Sequence, residues 1–368
     1  MAGETLNTIL SAVSQIFAPQ IKRQWNRTTY FLGALNASKG VSEGKGKNVA
    51  FDVEFTGATA ATVAEGADIA ASEYTTDPVV PMILPWATYR SSFQISEQEV
   101  DALRSAMGTA DALMDLLGER VMNAAAILAR TIEQDAISGT GVDSNGNPTL
   151  IGIFGGALTA SGGYGGINPG TYSEWAANVI ANGGVSRSLT PDLMDQADSQ
   201  IFTASSLPWN LIVTTAGVVR KYVSMFQTGT GVNNFPLIRM NDNPAAPAYG
   251  MGVPNNAQMQ MDALMFKGRN VLRNPVAPSG QLAFLNTDHI AIKYLPHYPT
   301  RNEFEFFQNI GLEGSSGGGE PVQVTGIPTR LIEVAKTGDS HKISMRATLA
   351  MAVTRRNAMA IVKDIAET

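Results

Sequence analysis

Apolar residues recur at helical spacing in two stretches of the first 140 residues. The first stretch, residues 1–17, ends before Pro19 and predicts an amphipathic helix. Its apolar positions are Leu6, Ile9, Leu10, Val13, Ile16 and Phe17. The second stretch, 109–138, predicts a helix about 45 Å long that Gly139 ends. Its apolar stripe is Leu113, Leu116, Leu117, Val121, Ala125, Leu128 and Ile132, and we expect Met114 and Met122 to fill the core beside it.

Between these helices the apolar period changes to two, which predicts a long β-hairpin. Val49, Phe51, Val53 and Phe55 alternate with polar or small residues. A second extended run, 79–95, returns after the small and acidic stretch 57–76. Because Pro81 and Pro85 cannot donate backbone hydrogen bonds, we expect the returning strand to be an edge strand or to be broken there.

The rest of the chain alternates short strands and helices, which predicts a compact α/β unit followed by terminal strands. Predicted strands are 150–154, 211–214, 253–265, 281–294, 322–324, 331–334, 342–353 and 358–365. Predicted helices are 173–181, 191–202 with Thr190 as N-cap, and 216–225. We therefore predict an α+β fold in which an extended hairpin leaves a compact body.

The composition indicates a surface that a partner covers. Only 16% of the 368 residues are charged, against about 25% in soluble domains. The net charge of -6 disfavours a protein whose main task is to grip phosphate backbones. With no Cys, the chain has no disulfide framework and no thiolate chemistry. We expect a soluble protein with no membrane span and no secretory signal.

Motif fragments that could carry chemistry do not match their structural context. Residues 40–44 spell G-x-S-x-G inside a polar loop, where a nucleophile elbow needs a strand before it and a helix after it. The segment 143–147 begins like a calcium loop but has Pro148 at the glycine position, so we expect a turn. His289, His297 and His341 have no metal-binding partner at helical spacing. We predict no catalytic residue, no metal and no cofactor.

The hairpin and the N-terminal arm both need a surface to lie on. An isolated hairpin is marginal in water, and arms of some 20 residues would reach roughly 60 Å. We expect that surface to be another copy of the chain. The aromatic and basic stretch around Trp25 suits packing on neighbouring protein at least as well as binding nucleic acid. The predicted inter-subunit contacts are Leu6, Ile9, Leu10, Val13, Trp25, Phe51, Phe55 and Trp86.

The order of these parts resembles the major capsid proteins of tailed bacteriophages with the Hong Kong 97 fold. The resemblance is carried by the hairpin (46–55 with 79–95), the helix 109–141, the junction 150–154 and the closing segment 346–361. It implies an N-terminal arm (1–44), an extended hairpin called the E-loop (45–95) and a peripheral domain (96–154 and 331–368). The peripheral domain would hold the long spine helix, about 109–138, and an α/β axial domain would span 155–330.

The resemblance implies a structural function without catalysis. Hexamers and pentamers of the chain would close into an icosahedral shell around double-stranded DNA, assembled in the host bacterial cytoplasm and retained in the virion. DNA would be a partner by non-specific proximity, and a separate scaffolding protein, a portal and a decoration protein are compatible further partners. Alternatives are an encapsulin-type bacterial compartment, another virion protein such as a tail-tube or decoration protein, and a metabolic enzyme.

This chain departs from two features found in some members of the family. Some members begin with a scaffolding segment of roughly a hundred residues, whereas here the arm begins almost at Met1, so we expect a separate scaffold or none. Some members cross-link an E-loop Lys to a distant Asn, but residues 57–76 contain no Lys. We therefore expect no cross-link and take Asn357 as the first acceptor to test. The basic residues first considered for facing DNA are Arg23, Arg27, Arg355 and Arg356.

Overall fold

The structure, a computed structural model, describes residues 30–38, 40–55, 79–96, 98, 110–227, 265–295, 323–324, 327–334 and 340–367. Several predicted features lie outside these residues: the N-terminal helix, the hairpin tip 57–76 and the extended segment 253–264.

The described chain contains the predicted hairpin strands, long helix and α/β unit in the predicted order, together with elements that the sequence did not predict, such as helix Tyr30–Ala37 and strand Arg269–Arg273. The helices are α1 (Tyr30–Ala37), α2 (Ala110–Ser138), α3 (Pro191–Ser205) and α4 (Ala216–Gln227). The strands of the first half are β1 (Val41–Glu43), β2 (Val49–Glu54), β3 (Val79–Leu84), β4 (Ala87–Ser96), β5 (Thr140–Val142), β6 (Pro148–Ile151) and β7 (Asn178–Ile180). Those of the second half are β8 (Leu211–Thr214), β9 (Met265–Phe266), β10 (Arg269–Arg273), β11 (Leu282–Leu285), β12 (Ile290–Tyr294), β13 (Gln323–Val324), β14 (Ile327–Pro328), β15 (Arg330–Val334), β16 (Ser340–Val353) and β17 (Ala360–Val362).

The predicted long helix is confirmed as α2. Its described apolar stripe is buried at Leu128 and Ile132, and Gly139 follows its last residue. Met122 contradicts the prediction that it fills the core, because its side chain is 64% exposed. The helical period indicates which residues share a face of the helix, but not how far the rest of the chain covers each of them.

The chain divides into two compact units. The larger unit comprises the described parts of 30–87, 133–294 and 349–368, and the smaller one those of 88–132 and 295–348. In the larger unit a six-stranded mixed sheet has the order β7-β17-β11-β8-β10-β9. Helices α3 and α4 contribute Leu193, Ile201, Val218 and Tyr222 to the core that covers this sheet.

A second set of strands in the larger unit joins distant parts of the chain. Strand β1 runs parallel to β12, and β12 runs antiparallel to the 349–353 part of β16. In the smaller unit, the 342–346 part of β16 pairs antiparallel with β15, and β4 also pairs with β16. From Ile343 to Val353, β16 is buried on both faces except at Arg346, which is exposed, and Thr348, which is half-buried.

Helix α3 begins as its sequence predicts. Thr190 has extended backbone angles, and its hydroxyl accepts a hydrogen bond from the backbone N–H of Leu193 at 3.2 Å. Pro191 occupies the first helical position, where its missing N–H has no intrahelical role. The predicted buried strand 211–214 and the predicted helix 216–225 are likewise confirmed as β8 and α4.

Two local predictions in the junction are wrong. The predicted strand 150–154 ends at Ile151, and 153–157 form a single helical turn around Gly155 and Gly156. The predicted helix 173–181 is a short 3₁₀ turn, Ser173–Trp175, followed by strand β7. At β7 long-range pairing overrides the local pattern, because β7 is held parallel to β17, almost two hundred residues later.

Candidate functional site

The two strands at the root of the predicted hairpin form a two-faced ribbon. Their register places Val49 opposite Leu84, Phe51 opposite Met82 and Val53 opposite Val80 on the inner face. The outer face pairs Ala50 with Ile83, Asp52 with Pro81 and Glu54 with Val79. The returning strand was predicted to be an edge strand or to be broken at Pro81 and Pro85. It is broken at Pro85, since β3 ends at Leu84 and β4 starts at Ala87, whereas Pro81 lies within β3 of a two-stranded sheet.

The inner face of the ribbon is fixed to a glycine-rich loop, 155–172. The Ile83 N–H donates to the Gly165 carbonyl at 2.8 Å, and the buried side chain of Met82 lies against Gly165. Phe55, just after β2, stacks on Tyr172 with ring centroids 4.4 Å apart, and its ring meets Trp175 edge-on at 5.8 Å. These contacts fix the root of the predicted hairpin to the larger unit.

We expect Gly165→Ala to be more harmful than Gly166→Ala. Both glycines have positive φ, 62° and 82°, so each substitution strains the backbone by roughly 1 kcal/mol. A Cβ on Gly165 would also overlap the Cγ atom of Met82, whereas one on Gly166 has no atom within 4 Å. Denaturant unfolding should show an extra loss of about 1 to 3 kcal/mol for Gly165→Ala. Equal losses for the two variants would contradict the proposed anchoring.

Arg356 holds the glycine-rich loop from the interior. Its guanidinium donates to the carbonyl of Ala157 at 2.7 Å, to the carbonyl and hydroxyl of Thr159 at 2.8 and 2.9 Å, and to the carbonyl of Gly162 at 3.2 Å. The same group lies 5.6 Å from the ring centroids of both Tyr164 and Trp175. Burial lowers the pKa of Arg356 to about 10. The residue is 0% exposed, so considering Arg356 as DNA-facing was wrong, whereas Arg355 is exposed.

Tyr164 joins this loop to the end of β16. Its hydroxyl donates to the Met351 carbonyl at 2.8 Å and accepts from the Val353 N–H at 3.1 Å. The Tyr164 carbonyl in turn accepts from the Trp175 indole at 3.2 Å. Burial raises the pKa of Tyr164, so its hydroxyl keeps its proton and this bridge persists.

A shallow groove of about 290 Å³ lies beside the root of the hairpin. Lys293 donates to the Ser42 hydroxyl at 2.7 Å and lies 5.8 Å from the Phe51 ring centroid. The indole of Trp86 donates to the Gly46 carbonyl at 3.0 Å, which ties the start of β2 to the end of β3. Glu43, Lys45, Val49 and Ala50 line the groove together with Phe51 and Lys293.

A buried carboxylate fixes the start of helix α1. Glu133 of α2 is 2% exposed, and its carboxylate accepts the N–H groups of Phe31 and Leu32, both at 2.9 Å. The side-chain amide of Asn274 donates a third hydrogen bond to this carboxylate at 2.6 Å. The Phe31 and Leu32 N–H groups belong to the first turn of α1, which leaves them without helical partners. Glu133 therefore caps a helix that is about a hundred residues earlier in the chain.

Three predicted inter-subunit residues lie together at the hairpin root, and the others lie outside the described residues. Phe51, Phe55 and Trp86 are half-buried, and each already contacts its own chain. Leu6, Ile9, Leu10, Val13 and Trp25 are the predicted contacts outside the described residues. The role of all eight between subunits stays a prediction.

The structure adds apolar side chains that the sequence pattern did not single out. Val79 and Ile83, on the outer face of β3, are 57% and 48% exposed. Other large apolar side chains that face solvent are Met122, Ile127, Val142, Val185, Phe202 and Leu295. The alternation along β3 was the available signal, but which of its faces points outward required the contact with Gly165.

Groups of polar side chains offer little support for bound ions. Within the described ranges, three or more His, Asp or Glu side chains nowhere gather as a metal site. The segment 143–147 is a turn, as predicted, in which the Asp143 carboxylate accepts the backbone N–H groups of Asn145 and Asn147. Among the described helices, none is long and apolar enough to span a membrane.

Solved structures with the same architecture define the class of this protein. The chain aligns with a protein of the cyanophage A-1(L) capsid asymmetric unit at a TM-score of 0.69 and 17% identity, covering 94% of this chain and 95% of the other. It aligns with the capsid of a native GTA particle (TM-score 0.55, 14% identity, 94% and 93% covered) and with Gordonia phage Cozz (0.51, 12%, 94% and 89%). The fold is that of the Hong Kong 97-type phage capsid proteins.

The family match identifies the chain more specifically than the similarity of fold does. Residues 27–366 match the SU10 major capsid protein family, and the chain belongs to that family. No curated protein matches the chain. The resemblance expected from the order of elements is thereby confirmed, and the family favours a phage capsid over the encapsulin, tail-tube and enzyme alternatives.

Proposed function

We propose that this chain is the major capsid protein of a tailed phage and that copies of it close into an icosahedral shell of hexamers and pentamers around double-stranded DNA. The observation that carries the proposal is the hairpin root: it is anchored on its inner face and carries exposed apolar residues on its outer face. Membership of a major capsid protein family supports the same function. The work of such a protein is association, and we expect it to catalyse no reaction.

The domain division expected from the sequence suits this function. The arm (1–44) and the E-loop (45–95) would reach neighbouring copies, with Leu6, Ile9, Leu10, Val13, Trp25, Phe51, Phe55 and Trp86 near the contacts. The peripheral domain (96–154 and 331–368) would contain the spine helix, and the axial domain (155–330) would meet its equivalents at the capsomer centre. Strand β3 supports an outward-facing E-loop, because Val79 and Ile83 on its outer face are exposed in the described chain.

Other partners follow from the assembly of a phage head. We expect assembly in the host bacterial cytoplasm and retention in the virion, with no membrane involved. A scaffolding protein from another gene, a portal and a decoration protein are compatible with the chain. Packaged DNA would lie close to the inner wall without sequence-specific contacts, which suits the weakly acidic net charge.

We expect Ile83→Asp to block assembly while leaving the subunit folded. At an exposed position the change should alter the free energy of unfolding by about 0.5 kcal/mol or less. In a subunit interface the same carboxylate would lose its hydration, which should raise the critical concentration for assembly about tenfold or more. Sedimentation velocity of the purified chain measures both the shell and the unassembled subunit.

The matched control is Ile83→Val, which keeps an apolar side chain in the same place. It should assemble at close to the concentration that the unchanged chain requires. Shell formation by Ile83→Asp at the unchanged concentration would exclude the outer face of β3 from the interface.

A further inference from the structure

Asparagine is followed by glycine at only two places in the chain, Asn145–Gly146 and Asn182–Gly183. In such a pair the backbone nitrogen of the glycine can attack the asparagine side chain, because glycine has no side chain to hinder the approach and its backbone adopts more conformations. Both pairs are exposed, and both glycines have positive φ, 80° and 64°. A difference in reactivity between the two pairs therefore has to come from their hydrogen bonds.

The first pair forms the tip of the hairpin that joins β5 to β6. The Asp143 carboxylate accepts the backbone N–H groups of Asn145 and Asn147, both at 2.8 Å, and the Gly146 N–H donates to the Asp143 carbonyl at 3.0 Å. Within the described residues, the side-chain amide of Asn145 has no hydrogen-bond partner. It can therefore turn towards the Gly146 nitrogen as soon as this exposed turn opens.

The second pair, in the loop after β7, is held at more points. The side-chain amide of Asn182 donates to the Val185 carbonyl at 2.8 Å, which fixes the group that would be attacked. The Asp364 carboxylate accepts the backbone N–H groups of Asn182 at 2.7 Å and of Gly184 at 3.1 Å. Moving the Asn182 side chain onto the Gly183 nitrogen therefore requires the loss of a side-chain hydrogen bond in addition to the opening of the loop.

We infer that Asn145 is a site of spontaneous deamidation in the folded chain and that Asp143 limits its rate by holding the turn closed. The Gly146 nitrogen attacks Cγ of Asn145: an N–Cγ bond forms, the Cγ–Nδ2 bond breaks, and the amide nitrogen leaves as ammonia with the proton of the Gly146 N–H. Water then opens one of the two carbonyls of the cyclic imide, which leaves an aspartate or an isoaspartate at position 145. The inference concerns the single subunit, so it goes beyond the proposed function and does not depend on it.

The product changes both the charge and the backbone of the hairpin tip. A modified subunit gains one negative charge beside Asp143, whose carboxylate is itself ionised because hydrogen bonds from Asn147 lower its pKa. In the isoaspartate the main chain runs through the former side chain and is one carbon longer. The turn bonds from the Gly146 N–H to the Asp143 carbonyl and from the Asp143 N–H to the Asn147 carbonyl, 3.0 and 2.9 Å in the unmodified chain, then have to rearrange.

A time course on the purified, unchanged chain in warm, mildly alkaline buffer is the first test. Peptide mapping by mass spectrometry measures the amide-to-acid change at each pair, and chromatography separates isoaspartate from aspartate. In the folded chain Asn145 should react roughly tenfold faster than Asn182 or more, because each additional hydrogen bond slows opening several-fold. In strong denaturant the two pairs should react at similar rates. Equal rates in the folded chain, faster reaction at Asn182, or no reaction at Asn145 would each overturn the inference.

Asp143→Ala tests the role assigned to the carboxylate. The substitution removes the acceptor of two N–H groups in the turn, so Asn145 should react several-fold faster while the rate at Asn182 stays the same. Asp364→Ala is the matched control, because it opens the other loop and should accelerate only Asn182. A general loss of stability would accelerate both pairs, so acceleration of one pair alone identifies a local effect. An unchanged rate at Asn145 in Asp143→Ala would contradict control by this carboxylate.

Gly146→Ala identifies the attacking atom. A Cβ at this position has no atom within 4 Å, so the only structural cost is that of a positive φ. Its methyl group would hinder the approach of the nitrogen, and deamidation of Asn145 should be almost lost in both the folded and the denatured chain. An unchanged rate would mean that water hydrolyses the side-chain amide directly, which would overturn the route through the Gly146 nitrogen.

Discussion

Replacing Glu133 by Ala is expected to lower the free energy of unfolding by about 3 kcal/mol or more. The carboxylate is the shared acceptor of two backbone N–H groups and one amide, from Phe31, Leu32 and Asn274. Each buried donor left without an acceptor costs about 1 to 3 kcal/mol. The substitution also removes a buried charge and with it the cost of desolvating that charge. This gain offsets part of the cost of the three unpaired donors, so the expected loss lies near the lower end of their combined range.

Chemical denaturation of the unassembled chain measures this loss. Gln134→Ala, at the adjacent exposed position of α2, is the matched control and should change the free energy of unfolding by about 0.5 kcal/mol or less. Similar values for Glu133→Ala and Gln134→Ala would mean that α1 does not depend on this cap.

The effect of Glu133 should also depend on pH. Burial raises its pKa above the usual 4.5, although the three hydrogen bonds oppose the shift. Between pH 4.5 and the raised pKa of Glu133, the folded chain binds more protons than the unfolded chain. The contribution of Glu133 to the free energy of unfolding is therefore largest below pH 4.5 and declines as the pH rises through its raised pKa. The stability of the unchanged chain relative to the non-titrating Glu133→Gln should therefore fall from pH 4.5 towards neutrality. A relative stability that grew over this range would contradict the assigned direction of the shift.

Arg356→Ala should have an effect of similar or greater size. The substitution leaves the carbonyls of Ala157, Thr159 and Gly162 without their donor and opens a space between the rings of Tyr164 and Trp175. We expect a loss of about 3 kcal/mol or more. Lys cannot reproduce the planar fork of donors, so Arg356→Lys should recover only part of this loss.

Arg355 provides an internal control for Arg356. It is the adjacent residue, has the same side chain and is exposed, so Arg355→Ala should change the free energy of unfolding by about 0.5 kcal/mol or less. Because the Arg356 loop positions the aromatic residues that fix Phe55, shells formed by Arg356→Lys should also be fewer. Equal stability of Arg355→Ala and Arg356→Ala would exclude the proposed role of the buried guanidinium.

The difference between Arg355 and Arg356 illustrates what the sequence can and cannot predict. Amphipathic periods predicted α2, α3 and the alternation of β2, because one face of each element is buried within the same short stretch. Which of two adjacent arginines is buried depends on carbonyls nearly 200 residues away, and no local pattern contains that information. Strand β7 was misassigned as a helix for the same reason, since its partner strand is β17.

The sequence also predicted only part of the candidate site. The sequence indicated a projecting hairpin and placed Phe51, Phe55 and Trp86 on it, but it could not show that Phe55 stacks on Tyr172. The acidic character of residues 57–76, in contrast, could be read directly from the sequence.

The central claim is that copies of this chain assemble into a closed shell, and electron microscopy of the purified chain with a light-scattering mass on the same sample tests it most directly. The account predicts closed particles of uniform diameter, either from the chain alone or after the scaffold of the same phage is added. A chain that remained a compact monomer under both conditions would contradict it.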